Sequence, residues 1–240
     1  MTTSPREFLT MKSSHLSSVR HCGVCIVLLA APLLLVSSAY ADLISIGFQE
    51  AGVNSGMITT EATGSGNATV SGLSYGTFSI NDASAQDQSV LGPPGLLNSD
   101  LLDISTATPG VLTVWITAQG LSFTGVQNFI SSFAVNTLSG SIVNVHENTY
   151  FSPTNGLYNT GAVLLDSALF NTIGTKGPDS TAGATSGTYS VTEQYVIFDV
   201  GGGLGNDNLT MDLSARPIPE PASLGLLGAS LLMIASKFRR

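Results

Sequence analysis

The chain has 240 residues, of which 43% are hydrophobic and 10% are charged, and its formal net charge at pH 7 is −8. Residues 42–214 hold 14 acids and one base, Lys176, so this part alone has a net charge of −13. A polyanion is bound through Lys and Arg, so this charge excludes a nucleic-acid partner. Roughly 170 residues are enough for one domain with a hydrophobic core.

The N-terminal residues have the organisation of a secretory signal peptide. Three bases form a positive region: Arg6, Lys12 and Arg20. An apolar run follows at 23–36, and Ala39-Tyr40-Ala41 is an A-x-A site before Asp42. The pattern predicts cleavage by signal peptidase between Ala41 and Asp42, with a retained anchor as the alternative.

Two features of this leader affect the rest of the chain. Cys22 and Cys25 form C-x-x-C, a spacing found in redox pairs, but both lie inside the leader. The exported chain is therefore expected to contain no cysteine and no disulfide. Translation from Met11 instead of Met1 would produce a leader of more ordinary length.

The middle of the chain has the composition of a β-protein, rich in Gly, Ser, Thr, Val and Asn. Its runs with a period of two predict many short strands. The predicted strands cover residues 43–49, 57–62, 68–73, 76–80, 101–105, 111–119, 130–138, 141–151, 162–170, 189–200 and 208–213. Residues 174–187 are predicted to form a loop, and 126–135 fits a helix or a strand equally well.

These strands predict an all-β fold, an antiparallel β-sandwich or jelly-roll-like domain over residues 42–214. Asn155-Gly156 is a strong hairpin signal between two of the predicted strands. In the strand at 111–119, alternation separates Leu112, Val114 and Ile116 from Val111, Thr113, Trp115 and Thr117. The apolar face is predicted to be the core side, so Trp115 faces either solvent, as a sugar-stacking platform, or a second layer.

One motif fits hydrolytic chemistry, but its surroundings do not. Gly72-Leu73-Ser74-Tyr75-Gly76 matches G-x-S-x-G, which requires a strand before the serine and a helix after it. The residues that follow are predicted to form a strand instead. His146, the histidine outside the leader, lies in another predicted strand. We therefore expect no enzyme of this type.

A second motif suggests calcium. The nonapeptide from Gly202 to Thr210 matches G-G-x-G-x-D-x-U-x, which makes Asn206 and Asp207 weak calcium candidates. Calcium sites of that kind need tandem copies, and this sequence has one copy. A glycine-rich turn that leads into the final strand is the simpler interpretation, so no cofactor and no metal are assigned.

Acid pairs allow a further alternative. Asp82 with Asp87, and Asp100 with Asp103, are candidates for the two carboxylates of a glycosidase or for calcium ligands. The sequence does not show whether any two of them share a cleft. Residues 81–88, which contain the first pair, are predicted to form a solvated loop.

The last 25 residues have three parts in a fixed order. Prolines at 217, 219 and 221 surround Glu220 and predict an extended, exposed segment. An apolar run without charge follows, and residues 222–236 are predicted to form a transmembrane helix. A basic end closes the chain: Lys237, Arg239 and Arg240. The basic end predicts a cytoplasmic C-terminus, which leaves the β-domain outside.

Pro219-Glu220-Pro221, the apolar run and the basic end together resemble the PEP-CTERM protein-sorting signal, here residues 215–240. The resemblance implies export by a bacterium with an exopolysaccharide matrix. It also implies that a membrane-embedded exosortase recognises Pro219, Glu220 and Pro221, and that Lys237, Arg239 and Arg240 stop transfer through the membrane.

These observations predict an exported protein of the cell surface or extracellular matrix with a structural or adhesive role and no catalysis of its own. The alternative is a β-sandwich module that binds polysaccharide, with or without calcium. An exposed Trp115 beside an acidic cleft would favour the module. A hydrogen bond between His146 and Ser74, or two carboxylates across a groove, would favour an enzyme.

Overall fold

The computed structural model describes residues 43–92, 94–159, 161–202 and 206–218, together with 230, 231 and 234. Ten strands are found within these residues, and every pairing between them is antiparallel. The elements in chain order are β1 (Leu43–Glu50), β2 (Thr59–Gly64), β3 (Asn67–Tyr75), β4 (Phe78–Asp87), α1 (Gln88–Leu91), β5 (Gly95–Thr106), β6 (Gly110–Ser139), β7 (Ile142–Ser152), β8 (Val163–Phe170), β9 (Gly174–Asp199) and β10 (Asn206–Pro217).

The strands form two layers that share the long strands β6 and β9. One layer has the order β2–β1–β6–β9–β7–β8, and the other has the order β3–β4–β5–β10–β6–β9. β1 pairs with β6 up to Gln119, whereas β10 pairs with β6 from Gln127 onwards. A register shift between Ala118 and Leu121 marks the place where β6 passes from one layer to the other.

Hydrogen bonds across the interior show that the layers pack face to face. The hydroxyl of Tyr195 in β9 donates to the carbonyl of Ser99 in β5 at 3.1 Å. Ser131 in β6 and Thr149 in β7 share a hydrogen bond of 2.7 Å. The interior between these contacts is filled by apolar side chains from both layers, which confirms the predicted antiparallel β-sandwich of jelly-roll-like form.

The alternation predicted in the first half of β6 is confirmed. Leu112, Val114 and Ile116 are fully buried in the core, as their shared face required. Their partners across the ladder, Ile46 in β1 and Tyr195 in β9, are also buried. A strand in the middle of a layer thus contributes one face to the interior and one to the outside.

The longest strands were not predicted. The strands expected at 111–119 and 130–138 are parts of one strand, β6, which also settles the ambiguous segment 126–135 as strand. The loop predicted at 174–187 is wrong, because these residues pair with β6 as the first half of β9. The loop predicted at 81–88 is also wrong, because it belongs mainly to β4.

Side chains from β9 cover the outer edge of β8, whose ladder partner on the other side is β7. Thr181 donates to the carbonyl of Leu165 at 2.7 Å, and Lys176 donates to the carbonyl of Ser167 at 2.8 Å. Lys176 also forms an ion pair with Asp166. Because these carbonyls already accept hydrogen bonds from side chains, this edge is a poor template for a further strand.

The last strand extends beyond the predicted domain end at Ser214. β10 continues to Pro217, and the backbone N–H of Ile218 donates to the carbonyl of Val126 at 3.0 Å. Of the predicted membrane segment at 222–236, only Ser230, Leu231 and Ile234 are described, and all three are helical. Within the described part of the chain, no helix has the length and apolar character needed to span a membrane.

Candidate functional site

The outward side chains of the layer β3–β4–β5–β10–β6 form a polar surface, here called the open face. Each strand turns apolar residues inward, such as Val70, Ala83, Leu101 and Met211. Alternation therefore turns their neighbours outward. The outward residues at the centre of this face are Asn67, Thr69, Ser84, Gln86, Asn98, Asp100, Ser132, Thr210 and Asp212.

Hydrogen bonds between β5 and β10 order the centre of the open face. The hydroxyl of Thr210 donates to Oδ1 of Asp100 at 2.9 Å, directly across the ladder. The amide of Asn98 donates to Oδ1 of Asp212 and, at 3.3 Å, to the carbonyl of Met211. These four outward side chains thus form two hydrogen-bonded pairs, and all four remain at least partly exposed.

Two depressions flank this ordered row. The first, about 120 Å³, lies over β3, β4 and β5 and is lined by Asn67, Thr69, Ser84, Ala85, Gln86, Asn98 and Asp100. The second, about 340 Å³, lies over β10, β6 and β9 and is lined by Ser132, Phe133, Ala134, Thr175, Lys176, Gly177, Pro178, Thr210 and Asp212. Strands are about 4.8 Å apart, so together the depressions cross the strands over about 24 Å.

The open face offers amides, hydroxyls and carboxylates, which can both donate and accept hydrogen bonds. These groups suit a ligand with many hydroxyls. Asp100 and Asp212 lie on neighbouring strands in diagonal positions of the same face. Each accepts a hydrogen bond from a neighbouring side chain.

The outward side chains of β1, the first half of β6, the second half of β9 and β7 form the covered face. Trp115 lies at its centre and is only 3% exposed. The indole N–H donates to Oε1 of Gln49 at 3.2 Å, and beside it Gln194 accepts from Asn148 and Tyr150 at 2.9 and 3.1 Å. The proposed stacking platform at Trp115 is therefore wrong, because the ring is buried on this face.

Long-range loop contacts explain why this face is covered. The segment after β7 lies over the bend of β6: the amide of Gln119 donates to the carbonyl of Asn155 at 2.9 Å, and the N–H of Gly120 donates to Oδ1 of Asn155 at 2.8 Å. In the same segment, the hydroxyl of Tyr158 donates to Thr60 at 3.1 Å. Asn155 has a positive φ of 55°, as its hairpin signal indicated, but it serves a long loop that returns over the sheet.

The hydrolase motif has no catalytic geometry. Ser74 lies in β3 and is exposed, and the motif leads through a turn into strand β4 instead of a helix. Nε2 of His146 is 2.8 Å from the hydroxyl of Ser167 in β8. Ser74 and His146 are thus in different layers, and the triad considered from the sequence is not assembled.

Of the two weak calcium candidates, Asp207 has a described side chain, and it lies in a strand instead of a loop. Asp207 lies in β10 with its carboxylate buried, and its Oδ1 accepts the N–H of Ile104 at 2.8 Å. Burial raises the pKa of Asp207 to about 7. The side chain of Asn206 lies outside the described part. Among the described residues, no group of three or more His, Cys, Asp or Glu could hold a metal ion.

Two glutamates of the interior were not found by sequence reasoning. Glu147 in β7 and Glu193 in β9 are fully buried. Glu193 accepts from the hydroxyl of Ser99, while both oxygens of Glu147 and Oε1 of Glu193 have no partner among the described residues. Burial raises the pKa of Glu147 to about 9 and the pKa of Glu193 well above its ordinary value.

A signal for these glutamates was present in the sequence. Glu193 occupies the apolar phase of its strand between Val191 and Tyr195, and Glu147 follows the buried Val145 by two residues. A carboxyl in that phase has to be buried and tends to stay protonated. The predicted sorting and cleavage residues lie outside the described part: Pro219, Glu220, Pro221, Lys237, Arg239, Arg240, Ala39, Ala41 and Asp42.

Comparisons with known proteins do not assign the chain to a family. No family model and no curated protein matches it. Among solved structures it is similar to TmCBM61 in complex with beta-1,4-galactotriose, with 8% identity and a TM-score of 0.25 over 57% of this chain and 82% of that one. It is also similar to TmCBM27, a carbohydrate-binding module that recognises mannan, with 11% identity and a TM-score of 0.27 over 51% and 75%. Such low TM-scores are no basis for a functional assignment.

Proposed function

We propose that this chain is an exported, non-catalytic β-sandwich of the cell surface or extracellular matrix that binds neutral polysaccharide on its open face. The observation that supports this most strongly is the band of outward amides, hydroxyls and carboxylates across the open face, with depressions of about 120 and 340 Å³ on either side of Asn98 and Asp100. A sugar chain carries hydroxyls that donate and accept, which matches such a surface.

The charge of the domain selects the class of polysaccharide. The open face presents Asp100 and Asp212, and Lys176 is the base within residues 42–214. Lys176 is engaged with Asp166 and, at 3.3 Å, with Asp179. A polyuronate or sulfated chain would meet Asp100 and Asp212 at the centre of this face, while the exposed Arg216 lies four residues, or about 13 Å, further along β10. Neutral polymers are therefore the expected ligands.

Calorimetry with the exported chain, residues 42–240, tests this proposal. Neutral mannans, galactans and glucans are titrated, and a polyuronate serves as the charged control. Asn98→Ala removes a donor at the centre of the open face and is expected to weaken binding about fivefold, since the loss of a hydrogen bond costs about 1 kcal/mol. The matched control is Asn144→Ala, a half-buried asparagine in a strand of the opposite layer.

The outcomes separate the possibilities. Binding of a neutral polymer that Asn98→Ala weakens and Asn144→Ala leaves unchanged supports the proposal. Equal loss in both variants, or preference for the polyuronate, contradicts it. Cleavage of the bound polymer that Asp100→Asn or Asp212→Asn abolishes would replace it with a glycosidase.

The sorting part of the proposal has its own test. The tail resembles a PEP-CTERM signal, so we propose that the leader is removed after Ala41, that residues 222–236 enter the membrane and that an exosortase processes the chain near Pro219-Glu220-Pro221. Intact-mass measurement of the exported chain, in cells with and without the sorting enzyme, is expected to show a shorter C-terminus only when the enzyme is present. A full-length chain in the cytosol would contradict the proposal.

A further inference from the structure

β10 leaves the sandwich at one end of the open-face layer, and this end is called the exit end here. It consists of residues 64–68, 88–95 apart from Pro93, 124–128, 182–186 and 214–218. Backbone hydrogen bonds connect these segments with one another and with Asp87, which precedes the second of them: the N–H of Asp87 donates to the carbonyl of Gly66 at 2.9 Å, that of Ala215 to Pro94 at 3.0 Å and that of Ile218 to Val126 at 3.0 Å. Val126 pairs in turn with Ala184 of β9.

The exit end exposes four large apolar side chains. Val90 is 54% exposed and Leu91 is 38% exposed, both in α1 between β4 and β5. Val126 in β6 and Ile218 after β10 are 42% and 41% exposed. Since β4, β5, β10 and β6 are successive strands about 4.8 Å apart, the four side chains are spread over about 15 Å.

The charges of the exit end differ from those of the whole domain. Its five segments contain no Asp or Glu, although residues 42–214 have a net charge of −13. The adjacent Asp87 is buried, and its Oδ1 accepts the N–H of Ser89 at 2.7 Å. Arg216 is exposed at this end. Within the described part of this end, apolar side chains lie beside one cation and no exposed acid, which suits the interface of an anionic bilayer.

The course of the chain brings such an interface close. Ile218 is held against β6, and only Pro219, Glu220 and Pro221 separate it from Ala222, where the predicted membrane segment begins. A residue spans at most about 3.6 Å, so Ala222 lies within about 14 Å of Ile218.

We propose that the exit end rests on the lipid surface into which the tail inserts, with Val90, Leu91, Val126 and Ile218 in contact with the headgroup region. This inference rests on the proposed tethering by the tail. It orients the sandwich with its strands rising from the membrane and leaves the open face lateral and accessible.

Site-specific fluorescence tests this orientation. The exported chain, residues 42–240, contains no cysteine, so Val126→Cys and Val90→Cys each carry one environment-sensitive label. The matched control is Val143→Cys, which is also 42% exposed. Val143 lies near the opposite end, because β7 begins just after Ser139, which pairs with the start of β10. The labelled chains are reconstituted into phosphatidylcholine–phosphatidylglycerol vesicles with headgroup spin-labelled lipid.

Flotation with the vesicles, measured on the same samples, reports tethering separately. The expected result is flotation, with fluorescence lost to the spin label at positions 126 and 90 and retained at position 143. Flotation without quenching at position 126, or with equal quenching at 126 and 143, overturns the proposed orientation and leaves tethering intact. A chain that does not float overturns the tether and the orientation together.

Discussion

The covered face and the open face of the sandwich have similar polar chemistry and differ in what lies above them. Both present amides and hydroxyls in strands that alternate with a buried apolar phase. On the covered face, the loop after β7 contacts Gln119, Gly120 and Thr60, and the amides of Asn148 and Gln194 are buried. On the open face, Asn98 and Asp212 keep solvent-accessible surface.

This difference shows that the outward phase of a strand does not by itself define a binding surface. A loop that is distant in the sequence decides whether outward polar groups satisfy each other under cover or remain available to a ligand. We therefore expect changes on the covered face to affect stability, and changes on the open face to affect binding.

The largest effect is expected from Trp115→Ala on the covered face. Removal of a buried indole leaves a cavity and frees Gln49, so the free energy of unfolding should fall by about 3 to 5 kcal/mol. Urea denaturation followed by circular dichroism measures this loss, with Trp115→Phe as the milder control. A loss of glycan binding in a variant that remains folded would contradict the assignment of Trp115 to stability.

The buried carboxyl of Glu147, on the interior side of β7, predicts that the stability of the fold depends on pH. The pKa of Glu147 is raised to about 9 by burial, from an ordinary value near 4.5. Below pH 4.5 the carboxyl of Glu147 is protonated in both the folded and the unfolded state, so it adds no pH dependence there. Between pH 4.5 and about pH 9 only the unfolded state releases this proton, so the free energy of unfolding falls as pH rises. The fall is complete above about pH 9.

Glu147→Gln removes this titration. Between pH 5 and 8, the free energy of unfolding of this variant should fall less steeply with pH than that of the unsubstituted chain. The two slopes should differ by about 1.4 kcal/mol per pH unit. Urea denaturation at several pH values measures the slope. Asp166→Asn, in the partly exposed ion pair with Lys176, is the comparison variant. An unchanged slope for Glu147→Gln would mean that Glu147 is ionised in the folded chain.

An intermediate effect on stability is expected when the loop after β7, which lies over the covered face, is weakened. Tyr158 has a positive φ of 47°, which Asn tolerates better than most residues other than Gly, so Tyr158→Asn removes the ring with little added backbone strain. We expect a loss of about 1 to 3 kcal/mol. Trp115 is the one tryptophan of the chain, so acrylamide quenching reports its exposure directly and should increase. No increase would show that the loop does not shield Trp115.

The smallest effect on stability is expected on the open face. Gln86 is exposed and lines the smaller depression, so Gln86→Ala should change the free energy of unfolding by less than about 0.5 kcal/mol. Glycan titration of the same variant should show weaker binding. A variant that loses more than about 1 kcal/mol of stability with unchanged binding would reverse the roles of the two faces.

Much of the fold follows from local pattern. The alternation of Leu112, Val114 and Ile116 placed one strand correctly in the core, and most predicted strands overlap observed ones. Strand lengths were less predictable. Residues 174–187 are rich in Gly, Ser and Thr, and they form a strand because β6 is long enough to pair with them. Pairing with a distant strand is absent from a local window.

The site was less predictable for the same reason. Asp100 and Asp212 lie 112 positions apart in the sequence, and only the pairing of β5 with β10 brings them to one face. Of the two alternatives for Trp115, the exposed platform is wrong, because Tyr158 and Asn155 belong to a loop whose contacts no periodicity predicts. The buried carboxyls could have been inferred, since Glu193 stands in the inward phase of a strongly alternating strand.

The place where the tail joins the sandwich has a mechanical consequence. β10 lies between β5 and β6, paired with both, and leads directly into the tail. If residues 222–236 enter the membrane, as proposed above, a pull on them acts along β10, parallel to the strand. Its ladder hydrogen bonds run perpendicular to the strand, so they share the load in shear instead of opening one at a time. Such an attachment would suit the proposed role at the cell surface, where drag on a bound polysaccharide would be transmitted through β10 to the tail.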